Sequence, residues 1–198
     1  MFLNRLLDYI EDRKIGEMSL AGWRRTYYRD KGSNATQSTD YRVLREVFAR
    51  VPLTESDVLC DVGCGFGRVL SYVTLSGSRA KVFGIELDPL VAITAAKRMK
   101  DCPLVEVLCG DACELLPEET TVIYMYNPFQ EEKLHEFLGV IESGINHPLT
   151  VIYVNDYYSH DITERKNWQE ISRGNVRQRT YRRDHPRRMP YGIFRFTP

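Results

Sequence analysis

A glycine-rich stretch directly after a short apolar run constrains this chain more than any other feature of its sequence. The run VLCDVG covers residues 58–63, and DVGCGFGR covers residues 61–68. Short apolar runs that end in glycine are typical of buried parallel strands, and glycine lets a tight turn bring backbone close to a ligand. We therefore predict a strand, a ligand-binding turn and a helix that extends to about residue 76.

Strand-like and helix-like segments alternate along most of the remaining chain. Further strands are predicted at 81–87, 104–110, 121–126 and 149–155, and further helices at 89–100 and 131–143. This alternation indicates an α/β fold of the Rossmann-like, doubly wound type, with a mostly parallel sheet and helices on both faces. The tail contains the strand-like runs WQEIS, VRQRTYR and YGIFRF without intervening helices, which predicts an antiparallel hairpin at one sheet edge.

The first 51 residues have a different pattern. Leu3, Leu6, Leu7 and Ile10 share one helical face, which predicts a helix over 2–13. A polar stretch at 30–40 predicts a loop, and a second helix is predicted over 40–51. We expect a helical lead-in or cap at 1–51 and a Rossmann-like core at 52–198, which together form one domain.

The composition limits the cellular setting and the partners. The chain has 27 basic and 27 acidic residues, so its net charge favours neither nucleic acid nor membrane. We find no cleavable signal sequence and no membrane-spanning run, and the odd number of cysteines predicts reduced thiols in a cytoplasmic protein. The C-x3-C spacings differ from the C-x2-C of common zinc sites, so no metal is expected.

The spacing of the glycines argues against a dinucleotide cofactor. Gly63, Gly65 and Gly67 form G-x-G-x-G, and Asp61 precedes them by two residues, whereas the dinucleotide fingerprint is G-x-G-x-x-G. A carboxylate beside the turn disfavours a pyrophosphate. It can engage the ammonium group of S-adenosylmethionine, directly or through water.

Polar residues also follow the next three predicted strands. Glu86 can accept hydrogen bonds from ribose hydroxyls, or it is a solvated acid at a strand end. Asp111 can accept from an adenine amino group, with the backbone of Ala112 at the ring edge, and it can also cap a helix. Asn127 offers polar atoms at the tip of the fourth strand, or it belongs with Pro128 to a plain turn. Because parallel strands end at one edge, these side chains are expected on one rim.

Together, the segments DVGCGFGR, GIELDP, GDA and YNPF resemble the motifs of class I S-adenosylmethionine-dependent methyltransferases over about residues 40–155. The segment TVIYMYNPFQEEKLHEFL is also similar to the Dot1-like lysine methyltransferases and their bacterial relatives. The Asn-Pro-Phe turn resembles, with one proline missing, the Asn/Asp-Pro-Pro-Phe/Tyr motif of amino-methyltransferases. The resemblance implies a Rossmann-like fold and S-adenosylmethionine as the cofactor.

The resemblance also implies roles for individual residues. Asp61 and the glycine turn would hold the methionine part of the cofactor, Glu86 the ribose and Asp111 the adenine. Thr39 and Tyr41, in the loop before the second helix, would close over the cofactor. The complete predicted cofactor set is Thr39, Tyr41, Asp61, Gly63, Cys64, Gly65, Gly67, Glu86, Asp111, Ala112 and Asn127.

Candidate substrate-site residues follow the fourth and fifth strands. Asn127 can orient a nitrogen through one of its oxygen atoms, and His160 belongs to the residue type most often used as a base near neutral pH. Further predicted substrate contacts are Pro128, Phe129, Asp156 and Tyr158. The expected acceptor is a nitrogen or oxygen of a small molecule or peptide. The alternatives are a protein lysine, as in the Dot1-like enzymes, and a non-catalytic module that binds S-adenosylmethionine.

The tail has an excess of positive charge. After position 171 its one acidic residue is Asp184. The same stretch contains eight arginines, which are Arg173, Arg177, Arg179, Arg182, Arg183, Arg187, Arg188 and Arg195. Such a patch favours an anionic substrate, or it is a solvated edge whose charges prevent strand pairing. Nucleic acid is less expected because no separate target-recognition segment is apparent.

Overall fold

The computed structural model describes residues 2–16, 19–20, 23–177 and 188–198. Its helices are α1 (Phe2–Lys14), α2 (Tyr41–Arg50), α3 (Arg68–Leu75), α4 (Pro89–Met99), α5 (Ala112–Leu115), α6 (Glu131–Gly144) and α7 (Ser159–Thr163), with a 3-10 turn at Arg29–Lys31. Its strands are β1 (Trp23–Arg24), β2 (Thr36–Gln37), β3 (Val58–Val62), β4 (Lys81–Glu86), β5 (Val105–Cys109), β6 (Val122–Tyr126), β7 (Leu149–Val154), β8 (Trp168–Arg177) and β9 (Arg188–Phe196).

The main sheet has seven strands in the order β5-β4-β3-β6-β7-β9-β8. The first five are parallel, β9 is antiparallel to β7, and β8 is antiparallel to β9. The chain moves outward from β3 to β5 and then returns to the other side of β3 as β6. Ligands of open α/β sheets bind at such a switch point, beyond the carboxyl ends of the strands.

Both faces of the sheet are covered, as the prediction of a doubly wound fold requires. Leu59 packs in the apolar cluster that includes residues of α2, α3 and α4. Cys60 and Val62 pack in the opposite cluster, with residues of α6 and α7. These buried residues are on opposite faces because successive side chains of a strand point to opposite sides. The predicted Rossmann-like fold with an antiparallel edge is confirmed.

The edge hairpin differs in detail from its prediction. The run WQEIS and the first two residues of VRQRTYR belong to one continuous strand, β8, which has an irregularity between Glu170 and Ser172. The rest of the second run lies outside the described residues. Gly174 interrupts the strand-like pattern of the sequence, but in the structure it makes room for an aromatic side chain, because a Cβ there would lie 2.6 Å from the Tyr191 hydroxyl.

Several short elements were not expected. The segment predicted as a loop at 30–40 contains part of the 3-10 turn and β2, which pairs with β1 through Trp23↔Gln37 and Arg24↔Thr36. The helices α5 and α7 are 4 and 5 residues long. Elements of this length do not complete enough of a period to be detected from the spacing of apolar residues.

Candidate functional site

A cavity lies at the carboxyl ends of four parallel strands. Gly63, Glu86, Asp111 and Pro128 line it, one from the end of each of β3, β4, β5 and β6. The predicted convergence of these four segments on one rim is therefore what the structure shows. The opposite wall is the segment Ser33–Gln37, which contains β2.

The turn after β3 requires glycine at two positions. Gly63 has φ 73° and Gly65 has φ 55°, which are left-handed values that side chains disfavour. A Cβ on Gly63 would also lie 2.8 Å from Cβ of Pro128. The Gly65 N–H donates to Oε2 of Glu86 at 2.9 Å. The turn thus lies between the ends of β4 and β6 with its backbone against the cavity.

Asp61 is buried below this turn without a cation. Asp61 is only 2% exposed, and no described residue donates a hydrogen bond to its Oδ2. Burial and the nearby charge of Glu86 raise the pKa of Asp61 well above its ordinary value. A buried acceptor that lacks a donor costs free energy. The site therefore fits a ligand that brings a positive charge or a donor towards Asp61.

Glu86 is held by the backbone and also faces the cavity. Its Oε1 accepts from the Asp88 N–H at 3.0 Å, while Oε2 accepts from Gly65. Burial raises the pKa of Glu86, although these backbone N–H groups act in the opposite direction. Each carboxylate oxygen has a second lone pair. The group is therefore fixed in orientation and can still accept from hydroxyl groups of a ligand.

Asp111 caps a helix and lines the cavity at the same time. Its Oδ1 accepts from the Cys113 N–H at 2.9 Å, and its Oδ2 accepts from Nζ of Lys133 at 2.8 Å. Burial alone would raise its pKa, but the hydrogen bonds from Lys133 and Cys113 leave the pKa of Asp111 below the ordinary value. Ala112 lies beside it in the cavity wall, and so does Lys133, which the sequence analysis missed.

The turn after β6 is joined to the opposite wall by one residue. The Asn34 amide Nδ2 donates to the carbonyl oxygens of Asn127 at 3.0 Å and Phe129 at 2.7 Å. The Asn34 backbone N–H donates to the carbonyl of Pro128 at 2.8 Å. Asn127 has a positive φ of 41°, which asparagine tolerates better than most residues. Nothing in the sequence distinguishes Asn34 except its place in a polar loop.

Two residues expected to close over the cofactor do not line this cavity. Tyr41 is fully buried in the core, and its hydroxyl donates to Oδ1 of Asp12 at 3.0 Å. Thr39 is also buried, with Oγ1 2.8 Å from the Tyr124 hydroxyl. The wall is formed by the residues just before them, because β2 ends at Gln37 and the chain then turns into the core to begin α2.

Two further members of the predicted cofactor set lie behind the turn. Cys64 is buried, and its thiol is 2.9 Å from the position that a Cβ on Gly84 would take. Gly67, with φ 82°, precedes the first residue of α3. Both support the turn from the side away from the cavity.

The predicted substrate residues are spread over a wider area. Phe129 lines the cavity and packs on Phe137, with ring centroids 5.2 Å apart. Asp156 is buried and forms an ion pair with Arg173. Tyr158 is half-buried against the core. His160 is exposed, with Nε2 3.0 Å from Oε1 of Glu131.

The arginines of the tail do not form one patch in the part of the chain that is described. Arg195 donates to Thr150 near the amino end of β7, away from the cavity rim. Arg173 is paired with Asp156 and Glu170. Arg177 and Arg188 face each other across β8 and β9. The other tail arginines of the sequence analysis, Arg179, Arg182, Arg183 and Arg187, lie outside the described residues.

Metal-ligating clusters and long apolar helices are both absent from the described residues. These residues contain no group of three or more histidine, cysteine, aspartate or glutamate side chains that could hold a metal ion. None of their helices has the length and apolar character that crossing a bilayer requires.

Comparisons with known proteins agree with the geometry of the site. Residues 60–132 match the family model of a methyltransferase domain. This match includes the glycine turn and the ends of β4, β5 and β6. Over these residues the chain is similar to methyltransferase domains. The family resemblance seen in the sequence is thereby confirmed.

A curated relative and several solved structures resemble the chain. It is 34% identical over 61 residues to a trans-aconitate 2-methyltransferase of Escherichia coli O157:H7, an alignment that covers 31% of this chain and 24% of that protein. An RNA methyltransferase from Salinibacter ruber, solved with S-adenosyl-L-homocysteine, has a TM-score of 0.61 and 21% identity, covering 81% of this chain and 92% of its own. A SAM-dependent methyltransferase from Aquifex aeolicus has a TM-score of 0.60 and 14% identity, covering 77% and 89%.

These matches differ in how much of each protein they cover and in sequence identity. The chain matches only about a quarter of the length of the curated relative. The solved structures share at most 21% identity with it among these examples, so their likeness concerns the fold of the methyltransferase domain.

Proposed function

We propose that this protein is an enzyme that binds S-adenosylmethionine and transfers its methyl group to a small molecule or peptide. The observation that carries the proposal is the buried Asp61, whose Oδ2 has no described donor, directly before a glycine turn whose Gly63 lines the cavity where four strand ends meet. The methyltransferase domain match and the S-adenosylhomocysteine bound to a protein of similar fold support this cofactor.

The cavity offers a suitable group for each part of the cofactor. Asp61 and the turn at Gly63 and Gly65 would hold the methionine part of the cofactor. Its ammonium group would be the positively charged partner that Asp61 does not have among the described residues. Glu86 would accept from the ribose hydroxyls. Asp111 and Ala112 would face the adenine, and Lys133 keeps the Asp111 carboxylate in place.

The same groups fit a dinucleotide less well. A pyrophosphate at this turn would meet the buried carboxylates of Asp61 and Glu86, and burying like charges together is costly. A sulfonium compound with an ammonium head carries charge of the opposite sign.

The protein contributes position and the exclusion of water. Bound S-adenosylmethionine supplies a methyl group that is already activated by its sulfonium. The walls on either side, the segment Ser33–Gln37 and the Pro128–Phe129 turn, are joined by the three hydrogen bonds of Asn34. They would shield the cofactor from water and fix the direction from which an acceptor approaches. In this view residues 1–51 act as a cap on the core.

Cations near the cavity support an anionic substrate. The segment 24–31 has four exposed cations against one acid, Asp30, and no described acidic side chain forms an ion pair with these cations, which are Arg24, Arg25, Arg29 and Lys31. Lys31 lines the cavity, and Arg24 belongs to the strand paired with β2. Uncompensated cations at a cleft raise the local concentration of anions. The relative's substrate, trans-aconitate, is an appropriate first compound to test.

Calorimetry and a product assay test this proposal. The protein is titrated with S-adenosylmethionine and with NAD, and S-adenosylhomocysteine release is measured with a panel of acids, amines and a lysine-containing peptide. We expect binding of S-adenosylmethionine only, and release that depends on a member of the panel. Binding without release under any condition would favour the non-catalytic module, and release with the peptide alone would favour the lysine-methylating alternative. NAD binding without S-adenosylmethionine binding would refute the proposal.

A further inference from the structure

Lys133 is the third residue of α6, a position that does not favour a cation. The positive end of a helix macrodipole lies at its first turn, where acidic side chains stabilise the helix and basic side chains oppose it. Glu131 and Glu132 follow this rule, and Lys133 does not. The stability of α6 by itself therefore gives no reason for a lysine here, and the contacts of its side chain supply one.

The ammonium group of Lys133 lies between an inner and an outer carboxylate. Its Nζ donates to Oδ2 of Asp111 at 2.8 Å and to Oε1 of Glu136 at 2.9 Å. The side chains of Lys133 and Asp111 are 14% and 26% exposed, whereas that of Glu136 is 58% exposed. Ion pairs with exposed groups contribute little, so Asp111 is the more important partner. Lys133 and Asp111 also line the cavity together.

The stem of Lys133 is held on another side by the turn at residues 29–32. A Cβ on Gly32 would lie 2.7 Å from Cβ of Lys133, so the glycine backbone packs directly on the stem. The Gln130 N–H donates to the Gly32 carbonyl, and the Gln130 amide Nε2 donates to the Arg29 carbonyl, both at 2.7 Å. These contacts fix the turn against the start of α6, and they leave the lysine side chain little freedom to move away from Asp111.

Asp111 therefore presents acceptors of fixed direction at the cavity. Oδ1 accepts from the Cys113 N–H and Oδ2 accepts from Lys133, and each oxygen has a second lone pair. An ionised carboxylate can only accept, so it matches a ligand that brings an N–H group, such as the 6-amino group of adenine. The oxygen of a 6-oxo purine would place a second acceptor against it, and two acceptors that face each other lose their hydrogen bonds.

We infer that Lys133 positions Asp111 to read the purine of the cofactor, and that this pair selects a 6-amino purine over a 6-oxo purine. The inference rests on the proposed function and adds to it a residue that determines which base is accepted. Lys133 acts through Asp111, so it is a positioning residue. A pair that only joined α6 to the end of β5 would not distinguish two purines.

Lys133 also keeps Asp111 ionised. Burial would raise the pKa of Asp111, but the hydrogen bonds from Lys133 and Cys113 leave this pKa below its ordinary value. Without Lys133, a protonated Asp111 could donate to the oxygen of a 6-oxo purine, so selection would weaken as the pH falls. Other titratable side chains line the cavity or bond to Lys133, and they are Lys31, Glu86, Tyr126 and Glu136.

Two ligands that differ in their purine test the inference. The affinities for S-adenosylhomocysteine and for S-inosylhomocysteine, its 6-oxo analogue, are measured by calorimetry from about pH 7.5 to about pH 5.5. Both ligands have the same ribose and amino acid, so titration of Asp61 or Glu86 cancels in the ratio of the two dissociation constants. We expect the unmodified protein to prefer the adenosyl ligand about 10- to 100-fold, with a ratio that does not change over this pH range.

Variants of Lys133 separate its charge from its packing. Lys133→Met keeps an unbranched stem without the charge, and we expect the ratio to fall several-fold and to fall further towards the lower pH. Lys133→Arg restores a cation that can donate to Asp111 and should recover most of the selection. Lys81→Met, which removes an exposed pair with Glu119, is the control and should leave the ratio unchanged. Lys133→Gln, which keeps a donor without the charge, takes the place of Lys133→Met if that variant does not fold.

Equal affinity of the unmodified protein for the two ligands overturns the inference. So does an unaltered ratio in the neutral variant of Lys133, even if its free energy of unfolding falls, because the pair would then be structural only. If the unmodified protein binds neither ligand, the proposed function is refuted, and the inference that rests on it is refuted as well.

Discussion

Two buried aspartates, one in α1 and one in β3, differ in their partners. Asp12 is 0% exposed and accepts from Arg68 at 2.7 and 3.0 Å, from the Tyr41 hydroxyl and from the Leu20 N–H. Asp61 is 2% exposed, and no described residue donates to its Oδ2. The two residues have the same chemistry and nearly the same burial.

Under the proposed function, the difference separates a carboxylate that holds the structure together from one that is available to the cofactor. Asp12 joins α1 to the first residue of α3, and Arg68 also donates to the Thr39 carbonyl, so this cluster holds α1 and the segment before α2 against α3. Asp61 adds an uncompensated charge where the proposed cofactor brings a cation. Burial of an unpaired charge lowers stability. We therefore expect opposite effects when each carboxylate is removed.

The largest effect is expected for Asp12→Ala. It leaves the Arg68 guanidinium buried without its carboxylate, and breaking a buried pair in this way costs about 3–5 kcal/mol. The free energy of unfolding, measured with urea, should fall by that amount. Glu11→Gln, which removes the half-buried partner of the exposed Arg45, is the control and should cost less than about 1 kcal/mol. Equal losses in the two variants would contradict a structural role specific to Asp12.

Removal of the Asp61 charge should act on cofactor binding. Asp61→Asn retains the size of the side chain, but it loses a charge-assisted contact of about 1.5–3 kcal/mol. The dissociation constant for S-adenosylmethionine, measured by calorimetry, should rise about 10- to 100-fold. Asp101→Asn, at an exposed site paired only with Lys100, should leave it unchanged. An unaltered constant in Asp61→Asn would remove Asp61 from the cofactor site.

The same substitution should stabilise the cofactor-free protein at high pH. The pKa of Asp61 is raised in the folded state by burial and by Glu86. The folded protein therefore holds this proton more tightly than the unfolded chain, and stability falls as pH rises from about 4 through the raised pKa. Asn cannot ionise. At pH 8 we expect Asp61→Asn to melt about 2–4 °C higher, the shift that about 1 kcal/mol produces in a chain of this size. A lower melting temperature would show that Asp61 has a donor within the protein.

The smallest effect is expected for Tyr41→Phe. Asp12 keeps its contacts with Arg68 and Leu20, so one lost hydrogen bond should cost about 0.5–1.5 kcal/mol in unfolding free energy. Affinity for S-adenosylmethionine should stay within about 2-fold. A large loss of affinity would instead support the role that the family resemblance implies for Tyr41, in closing over the cofactor.

Much of the fold was predictable because its signals are local. The apolar runs at β3, β4, β6 and β7 lie within a few residues of their predicted bounds, since a buried strand between polar segments is visible in a short window. The rim position of Glu86 and Asp111 follows from strand direction alone. The hairpin at β1 and β2 was missed because two-residue strands depend on pairing with a distant partner.

The contacts of the site residues could not be predicted in the same way. Asn34 lies 93 and 95 residues from the carbonyls of Asn127 and Phe129 to which its side chain donates. Asp12 lies 56 residues from Arg68. Contacts over such distances depend on how the cap packs on the sheet, and spacing along the chain gives no information about them.

The sequence alone determined the order of strands and helices, the glycine turn and the acids at the strand ends, because strand period, turn chemistry and strand direction are local properties. Only the tertiary structure decided which buried carboxylate has partners. The sequence marks Asp61 by its place before the glycine turn, but it does not show whether a donor reaches Asp61 or Asp12, which depends on how α1, α2 and α3 pack together. The same packing decided that Ser33–Gln37, rather than Thr39 and Tyr41, forms the wall opposite the glycine turn.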